Sequence, residues 1–314
     1  MDCIIEIIKK WWLLIIAGII VLLLILTMCQ NQTDSQSKDS ESGNQVKAVL
    51  YLENDYGYLV PIVKSVDIED GVCAAALKSL SDKDTIEGLS PTLSENSFLG
   101  IELVGDTAIV NLDKNAFEAD NQISEQNKVK AVVNTLTEFG TISKVKITLN
   151  GEETKELPYG TDISATFERF DLNAESVDSE VNVAEANKMI LYFEDIDLTH
   201  IVEITRYTNE EINVENAINE LIAGPENTTS LKNLFPEGTR LLTAFIDQSD
   251  TVNLNFSSEF SEISESEMLE QCLLKTIGLT CREIDEIKDI RIFVAGTPYE
   301  ASTNIMSIYP NEIK

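Results

Sequence analysis

The stretch Ile190-Leu191-Tyr192-Phe193-Glu194 decides the organisation of this chain, because it repeats Val49-Leu50-Tyr51-Leu52-Glu53 from 141 positions earlier. Other segments return at nearly the same distance, with offsets between 141 and 145 that small loop insertions would absorb. They are Leu59-Val60 with Ile201-Val202, Ser124-Glu125 with Ser266-Glu267, Lys146-Ile147 with Arg291-Ile292, and Gly151 with Gly296. Self-similarity at a fixed period indicates duplication, so the chain carries two copies of one domain.

Each copy begins with the same predicted elements. Apolar runs predict an opening strand at 49–52 and 190–193, and a second extended segment at 58–66 and 200–207. Gly224-Pro225 ends a short helix of the second copy with a C-terminal glycine and a proline. The apolar residues with helical spacing in this short helix are Val72, Ala76, Leu77 and Leu80 in copy one, and Val214, Ala217, Ile218, Leu221 and Ile222 in copy two.

A hairpin, a longer helix and a last strand complete each copy. Period-two alternation flanks Gly105-Asp106 and returns over 244–256, which predicts hairpins with one buried face. Apolar residues at i, i+3, i+4 and i+7 predict the longer helix, capped by Ser124 in copy one and by Ser264 or Ser266 in copy two. The last strands alternate at Val145, Ile147 and Leu149, and at Ile290, Ile292 and Val294.

These elements predict an α+β fold of two tandem small domains, each a mostly antiparallel sheet packed against two helices, behind one N-terminal transmembrane or signal helix. The predicted parts are an N-terminal membrane anchor or lipoprotein signal (1–29), a flexible linker (30–46), domain one (47–165), a second linker (166–187) and domain two (188–314). Acidic side chains dominate 168–187, so we expect this linker to be exposed and to be the first site of proteolysis.

The N-terminal stretch predicts attachment to a membrane. Residues 11–28 are 18 consecutive uncharged residues, which at ~1.5 Å per residue span about 27 Å of a ~30 Å hydrocarbon core. Lys9 and Lys10 before them favour a cytoplasmic N-terminus and export of the chain after residue 29. The stretch is either an uncleaved anchor or a lipoprotein signal ending at Cys29, where Met28 replaces the usual small residue. Either predicts a cell-membrane protein, single-pass or lipid-anchored, whose bulk is extracytoplasmic.

Composition excludes one class of partner. The chain has 23 Lys and Arg against 54 Asp and Glu, a formal net charge of −31. Nucleic acid is excluded, because phosphate binding needs concentrated basic side chains. Five cysteines are too few for a disulfide scaffold, and we expect them to act as small buried side chains.

No motif carries catalytic, cofactor or metal chemistry, so we predict no enzyme and no catalytic, cofactor-binding or metal-binding residues. The sequence lacks a Gly-x-Ser-x-Gly elbow, C-x-x-C, H-E-x-x-H and a Gly-Lys-Ser/Thr phosphate loop. The single histidine, His200, occupies the repeat position of Tyr58 and is predicted to pack rather than react. The carboxylates near turns are predicted to be solvated turn residues: Asp195, Asp197, Asp247 and Asp250.

Several short motifs resemble the GerM domain of sporulation and spore-germination proteins. In copy two, residues 255–260 read NFSSEF, like the family's D-L-S-S-E-F step, and Ala223-Gly224-Pro225 and Pro236-Glu237-Gly238-Thr239 match its A-G-P and P-E-G-T turns. In copy one, residues 135–139 and 157–162 match. The resemblance covers about 47–165 and 187–300. Copy one departs from it at the A-G-P turn, and copy two lacks a clear L-P-x-G-T-D tail.

The resemblance implies a membrane-tethered extracytoplasmic scaffold or assembly protein that acts in sporulation or germination of a spore-forming bacterium. Its tandem domains would contact envelope proteins of a sporulation complex, and homo-oligomerisation stays open. Two alternatives remain. One is a small-ligand or cell-wall binding lipoprotein unrelated to sporulation, with its ligand between the two copies. The other is an envelope hydrolase that works with carboxylates alone.

Overall fold

The structure is a computed structural model that describes residues 45–69, 71–82, 86–175, 181–303, 305–306 and 309–312. The predicted membrane helix, the lipidation candidate Cys29 and nearly all of the first linker lie outside these residues. Within the described ranges, no helix is both long enough and apolar enough to cross a bilayer.

Copy one is built from two sheets and two α-helices over its described residues. Strands β1 (Gln45–Asn54), β2 (Leu59–Asp67) and β3 (Leu89–Ser90) form an antiparallel sheet in the order β2-β1-β3. A second sheet has the order β4-β5-β6-β7. Its strands are β4 (Phe98–Val104), β5 (Thr107–Leu112), β6 (Lys144–Leu149) and β7 (Thr166–Phe167). Helix α1 (Val72–Ser79) follows β2, and helix α2 (Gln122–Thr137) connects β5 to β6.

Copy two repeats this arrangement. Strands β8 (Asn187–Asp195), β9 (Ile201–Thr208) and β10 (Leu231–Lys232) form the first sheet in the order β10-β8-β9. The second sheet, β11-β12-β13-β14, contains β11 (Leu241–Ile246), β12 (Thr251–Phe256), β13 (Asp289–Val294) and β14 (Thr297–Pro298). Helix α3 (Val214–Ala223) follows β9. A 3-10 helix (Ser258–Glu265) and helix α4 (Glu267–Arg282) connect β12 to β13.

The α+β class and the tandem arrangement are confirmed, but the sheets differ in detail from the prediction. Each copy has two sheets where we predicted one, and the second sheet contains a parallel pair, β5 with β6 and β12 with β13. The parallel pairing has a simple cause. The long helix carries the chain back along the sheet between the two strands, as a crossover must, whereas a tight turn joins only antiparallel strands.

The cap of the long helix in copy one corrects the prediction. Asn121, not Ser124, is the N-cap, because its side-chain oxygen accepts the N–H of Ser124 at 3.0 Å. Asn and Ser cap helices about equally well, so the pattern alone could not choose between neighbouring candidates. In copy two, Ser266 caps α4 and accepts the N–H of Leu269 at 3.4 Å, as predicted.

A threonine of each long helix accepts a hydrogen bond from a backbone N–H group of the opening strand. Tyr51 N–H donates to Thr135 Oγ1 at 3.2 Å, and Tyr192 N–H donates to Thr280 Oγ1 at the same distance. All four residues are buried, where an unpaired backbone N–H would be costly. The identical bond in both copies shows that the duplication preserved the register between helix and strand.

The C-terminal segment packs on α4 at a glycine. A Cβ on Gly278 would lie 2.1 Å from the carbonyl oxygen of Ile305, so no larger residue permits this approach. Ile305 itself is buried and joins the apolar core. The end of the described chain is therefore part of the packed unit.

The segment between the copies is packed, so the prediction of an exposed linker over 168–187 is wrong for its first part. Leu172 is buried with Tyr51 and Leu59 in a small apolar cluster. Glu175 pairs in parallel with Arg206 of β9. Two residues, Leu172 and Asn173, hold this segment against the strands. The acidic composition averaged over 168–187 does not reveal their contribution. The domain boundaries at 47–165 and 188–314 stay a prediction.

The two copies are expected to unfold together. The chain from Asn44 to Lys314 forms one compact unit by its contacts. The joining segment packs on copy one through Leu172 and pairs with copy two through Glu175. We expect a single calorimetric transition whose calorimetric and van't Hoff enthalpies agree. Two resolved transitions, or two folded fragments after proteolysis within 181–187, would contradict this expectation.

Candidate functional site

Polar side chains bridge the two copies at the seam, defined here as the meeting of β2 of copy one with β9 of copy two. Asn173, from the segment after copy one, bridges the two strands. Its side chain accepts the N–H of Leu59 at 3.0 Å and donates to the carbonyls of Leu59 at 2.8 Å and Glu203 at 2.7 Å. Its φ of 46° lies in the left-handed region, which asparagine tolerates better than most residues.

Asn311, from the segment after copy two, repeats these bonds in the opposite sense. It accepts the N–H of Ile201 at 2.9 Å and donates to the carbonyls of Ile201 at 2.8 Å and Pro61 at 3.0 Å. Ile201 is the repeat equivalent of Leu59. The two copies are thus related across the seam by an approximate twofold axis, as subunits of a symmetric dimer are.

Ionisable side chains lie in equivalent positions beside the seam. Tyr51 Oη donates to Glu138 at 2.6 Å, and Tyr192 Oη donates to Glu283 at 2.9 Å. Arg169 breaks the symmetry, because it pairs with Glu138 at 2.6 Å and also donates to the Tyr51 hydroxyl at 2.5 Å. Copy one therefore neutralises its carboxylate with a cation from the joining segment.

Glu203 is the most perturbed carboxyl group of the seam. It is buried, and this burial raises its pKa to about 7. Arg169 acts in the opposite direction, whereas the carboxylates of Glu283 and Glu138 raise the pKa further. Glu203 lies in β9 at the seam. The repeat equivalent of Glu203 in copy one is Pro61 of β2. Near neutral pH the seam therefore contains a partly protonated carboxyl group.

A second buried ion cluster ties the joining segment to copy two. Arg206 of β9 is only 1% exposed and pairs with Glu220 of α3 at 2.7 Å and with Glu175 of the joining segment. Its guanidinium also donates to the carbonyl of Gly224 at 2.8 Å and lies over the ring of Phe193. Gly224 has a φ of 91°, which glycine adopts without strain at the end of α3. The cluster therefore holds the joining segment against copy two.

The structure places the residues that sequence reasoning weighed for chemistry in packing or turn positions. His200 is buried, with its Nδ1 3.4 Å from Asp195 Oδ2, and it lies against Gly88 of copy one. The prediction that Asp195 is a solvated turn residue is wrong, because Asp195 is the last residue of β8 and only 2% exposed. Its buried carboxylate accepts the N–H and the hydroxyl of Thr199, each at 2.8 Å. Burial raises the pKa of Asp195, but hydrogen bonds from His200 and Thr199 outweigh this, so the net shift is downward. Asp197 accepts the Tyr56 hydroxyl at 2.5 Å.

The hairpin turn of copy two behaves as predicted. Asp247 accepts the N–H of Ser249 at 2.8 Å, and this bond is the main cause of its lowered pKa. Asp250 has a φ of 57° and pairs with Lys288 at 2.5 Å. No group of three or more His, Cys, Asp or Glu residues suited to a metal ion occurs among the residues that the structure describes.

The cysteines of the described chain are free thiols. Cys281 is buried, as predicted, while Cys73 and Cys272 are half-buried. Burial raises the pKa of Cys272 to about 12, and the nearby Glu194 carboxylate adds to this. A thiol with so high a pKa is a weak nucleophile at neutral pH.

Sequence reasoning placed Leu59 and Ile201 in the repeated second strands, but it missed the polar residues that join these strands at the seam. Asn173 and Asn311 are 138 positions apart, close to the repeat distance, but each stands alone in a dissimilar context. Glu203 and Arg206 did carry a signal, because a charged residue inside an apolar strand must find a partner or change its pKa. Arg169 gave none.

Both copies also expose an edge strand with apolar side chains. Strand β4 is an edge of its sheet and exposes Leu103 (55%), and β11 is the equivalent edge and exposes Phe245 (54%). Leu99, Val104 and Leu242 are exposed on the same two strands. Unpaired edges of this kind accept another strand readily.

Comparison with known proteins agrees with this architecture. The model of the Germane family, described as sporulation and spore germination, matches residues 49–155 and 190–300. The spore germination protein GerM of Bacillus subtilis (strain 168) is 26% identical over 287 residues, which are 86% of this chain and 78% of that protein. The solved tandem GerMN domains of the sporulation protein GerM from Bacillus subtilis superpose with a TM-score of 0.63 at 26% identity, covering 81% of this chain and 92% of that one. Because the family matches most of both copies, this chain belongs to the Germane family of sporulation and spore-germination proteins.

Proposed function

We propose that this chain is a membrane-tethered extracytoplasmic assembly protein that acts in sporulation or spore germination through protein–protein contacts of its tandem domains. The observation that carries the proposal is the duplication itself. Two copies locked at the seam present the same surfaces twice in a fixed relation, which suits an adaptor between envelope proteins. Membership of the Germane family supports a role in sporulation or spore germination, and the name of the Bacillus subtilis relative supports germination in particular.

The equivalent edge strands support contact with protein rather than with a small molecule. Strands β4 and β11 are the terminal strands of their sheets among the described residues, and they expose leucine and phenylalanine side chains. An extended segment of a partner could add to either edge, with its backbone supplying affinity. We propose that Leu103 and Phe245 mark these contacts.

The test compares charged substitutions on the edges with matched substitutions elsewhere. We expect the double variant Leu103→Lys/Phe245→Lys to lose its cross-linked envelope partners and to reduce sporulation or germination of the host. Ile123→Lys on α2 and Met268→Lys on α4 replace apolar residues of similar exposure (69% and 57%) and should behave as wild type. Normal partners and normal spores in the double variant would count against the edge strands.

Membrane tethering rests on residues 9–29 of the sequence. Intact-mass measurement of the detergent-extracted protein distinguishes the two forms of anchor. A mass near the full 34.9 kDa is expected for the spanning helix. Lipidation at Cys29 would remove the preceding 28 residues and add acyl chains, and Cys29→Ala would block that processing. A soluble exported chain of either mass would contradict both forms.

A further inference from the structure

The segment that follows each copy pairs with a strand of the other copy. Glu175, in the joining segment after copy one, forms a parallel bridge with Arg206 of β9 in copy two. Glu312, in the segment after copy two, forms a parallel bridge with Val63 of β2 in copy one. The two copies therefore exchange their trailing segments reciprocally, as the two chains of a domain-swapped dimer do.

This exchange identifies what the trailing segment of a copy binds. Val63 N–H donates to the carbonyl of Asn311 at 2.8 Å, and Thr205 N–H, at the equivalent position of the repeat, donates to the carbonyl of Leu172 at 2.9 Å. Bonds of this kind add a strand to a sheet, with the backbone supplying affinity. A single copy could make neither bond within itself, so its trailing segment is suited to bind a second copy.

The C-terminal segment, defined here as residues 309–312, can change its acceptor while both copies stay folded. The joining segment lies between β7 and β8, so it is fixed at both ends, and it contributes Leu172 to a buried cluster and Glu175 to the ion cluster of Arg206. The C-terminal segment instead follows both copies. Ile305 before it stays packed on α4, so exchange moves neither a core nor the seam.

The contacts of the C-terminal segment are with groups that a second chain also offers. The Asn311 side chain bonds Ile201 of β9 and Pro61 of β2. Glu312 pairs with Lys47 of β1, but these side chains are 47% and 53% exposed, so the pair adds little stability. The Lys47 ammonium also lies 5.8 Å from the centre of the Tyr309 ring. Every acceptor group belongs to β1, β2 or β9.

Exchange between two chains conserves these bonds. When two chains trade their C-terminal segments, each β2 receives residues 309–312 of the other chain in place of its own. The trade is reciprocal, so it closes a pair of chains around a twofold axis. Its cost is the entropy of association, and this cost falls when both chains are held at high local concentration, as in the proposed membrane-tethered state.

We propose that the chain forms a dimer by exchanging residues 309–312, so that the C-terminal segment of each chain lies on β2 at the seam of the other. The interaction surface is the outer edge of β2, and the partner that fits it is a second copy of this chain. Strands β4 and β11 take no part, so the failure of this proposal would leave the proposed edge-strand contacts in place.

Cross-linking between two co-expressed full-length chains tests the exchange. One chain carries Lys47→Cys and the other carries Glu312→Cys, each with its own tag, so neither chain contains both halves of the pair. A short bismaleimide, added before extraction, should give a covalent product that carries both tags. Asn311→Ala in the Glu312→Cys chain should lower this product by about tenfold or more, because it removes the side-chain bonds to Ile201 and Pro61.

Lys146→Cys and Glu153→Cys, divided between two chains in the same way, are the matched control. Lys146 and Glu153 also form a surface ion pair, but both belong to copy one and are 7 positions apart. They cannot exchange between chains unless that copy unfolds. The control chains keep the native cysteines and therefore measure the background, above which they should give no product with both tags.

A single chain that carries both Lys47→Cys and Glu312→Cys establishes that the C-terminal segment lies on β2, and we expect it to cross-link. The proposal is overturned if this chain does not cross-link, or if the divided pair gives no more product than the control. It is also overturned if Asn311→Ala leaves the product unchanged, or if the Lys47→Cys chain captures another protein in place of a second copy.

Discussion

Arg206→Ala is expected to lower the free energy of unfolding by about 3–5 kcal/mol, because it removes one side of a buried ion cluster. The guanidinium is 1% exposed and bonds Glu175, Glu220 and the carbonyl of Gly224. Alanine would leave two carboxylates facing a space from which water is largely excluded, and it would also leave a cavity beneath Phe193. Urea unfolding at neutral pH measures the loss.

Arg291→Ala is the matched control for this prediction. Its side chain is 57% exposed and lies 3.8 Å from Asp247, so the loss should stay within about 0.5 kcal/mol. A double-mutant cycle of Arg206→Ala with Glu175→Ala then isolates the bond between the joining segment and copy two. If Arg206→Ala costs less than about 1 kcal/mol, the cluster does not hold the joining segment against copy two.

The repeated strands and helices were predictable because their signal is local. Apolar residues at helical or alternating spacing mark the core face of each element, and the repeat supplied every element twice. The prediction reached Ser266 as a helix cap but not Asn121, since several polar residues before α2 can cap it. It also missed the parallel pairs, because pairing direction depends on the path of the connecting helix rather than on the strand sequence.

The seam was not predictable for a different physical reason. Asn173 and Asn311 act by bridging two strands that lie between 30 and 250 positions away in the sequence, and an isolated asparagine in a polar stretch is typical of an exposed turn. The acidic composition of 168–187 concealed Leu172, which is buried. Charged residues within β9 are the one local sign, because an apolar strand rarely buries Glu203 and Arg206 without a partner.

Glu203 is expected to make the folded chain less stable as the pH rises from about 4.5 to about 7. Burial raises its pKa from an ordinary 4.5 to about 7 in the folded state. Below pH 4.5 the group is protonated in both states and adds no penalty. Between the two values the unfolded chain releases its proton first, so unfolding becomes easier, and above pH 7 the penalty is constant. At about 1.4 kcal/mol per pKa unit, the loss of folding free energy above pH 7 is about 3 kcal/mol.

Glu203→Gln isolates this penalty, because glutamine keeps the size of the side chain and cannot ionise. Urea unfolding of variant and wild type at pH 4.5 and pH 8 should show nearly equal stability at the lower pH. At pH 8 the variant should be more stable by about 3 kcal/mol. Taking the difference between the two proteins removes the titration of the other carboxylates, which both share. Glu211→Gln, at an exposed position, should show no such pH-dependent gain. An equal difference at both pH values would mean that Glu203 ionises normally at the seam.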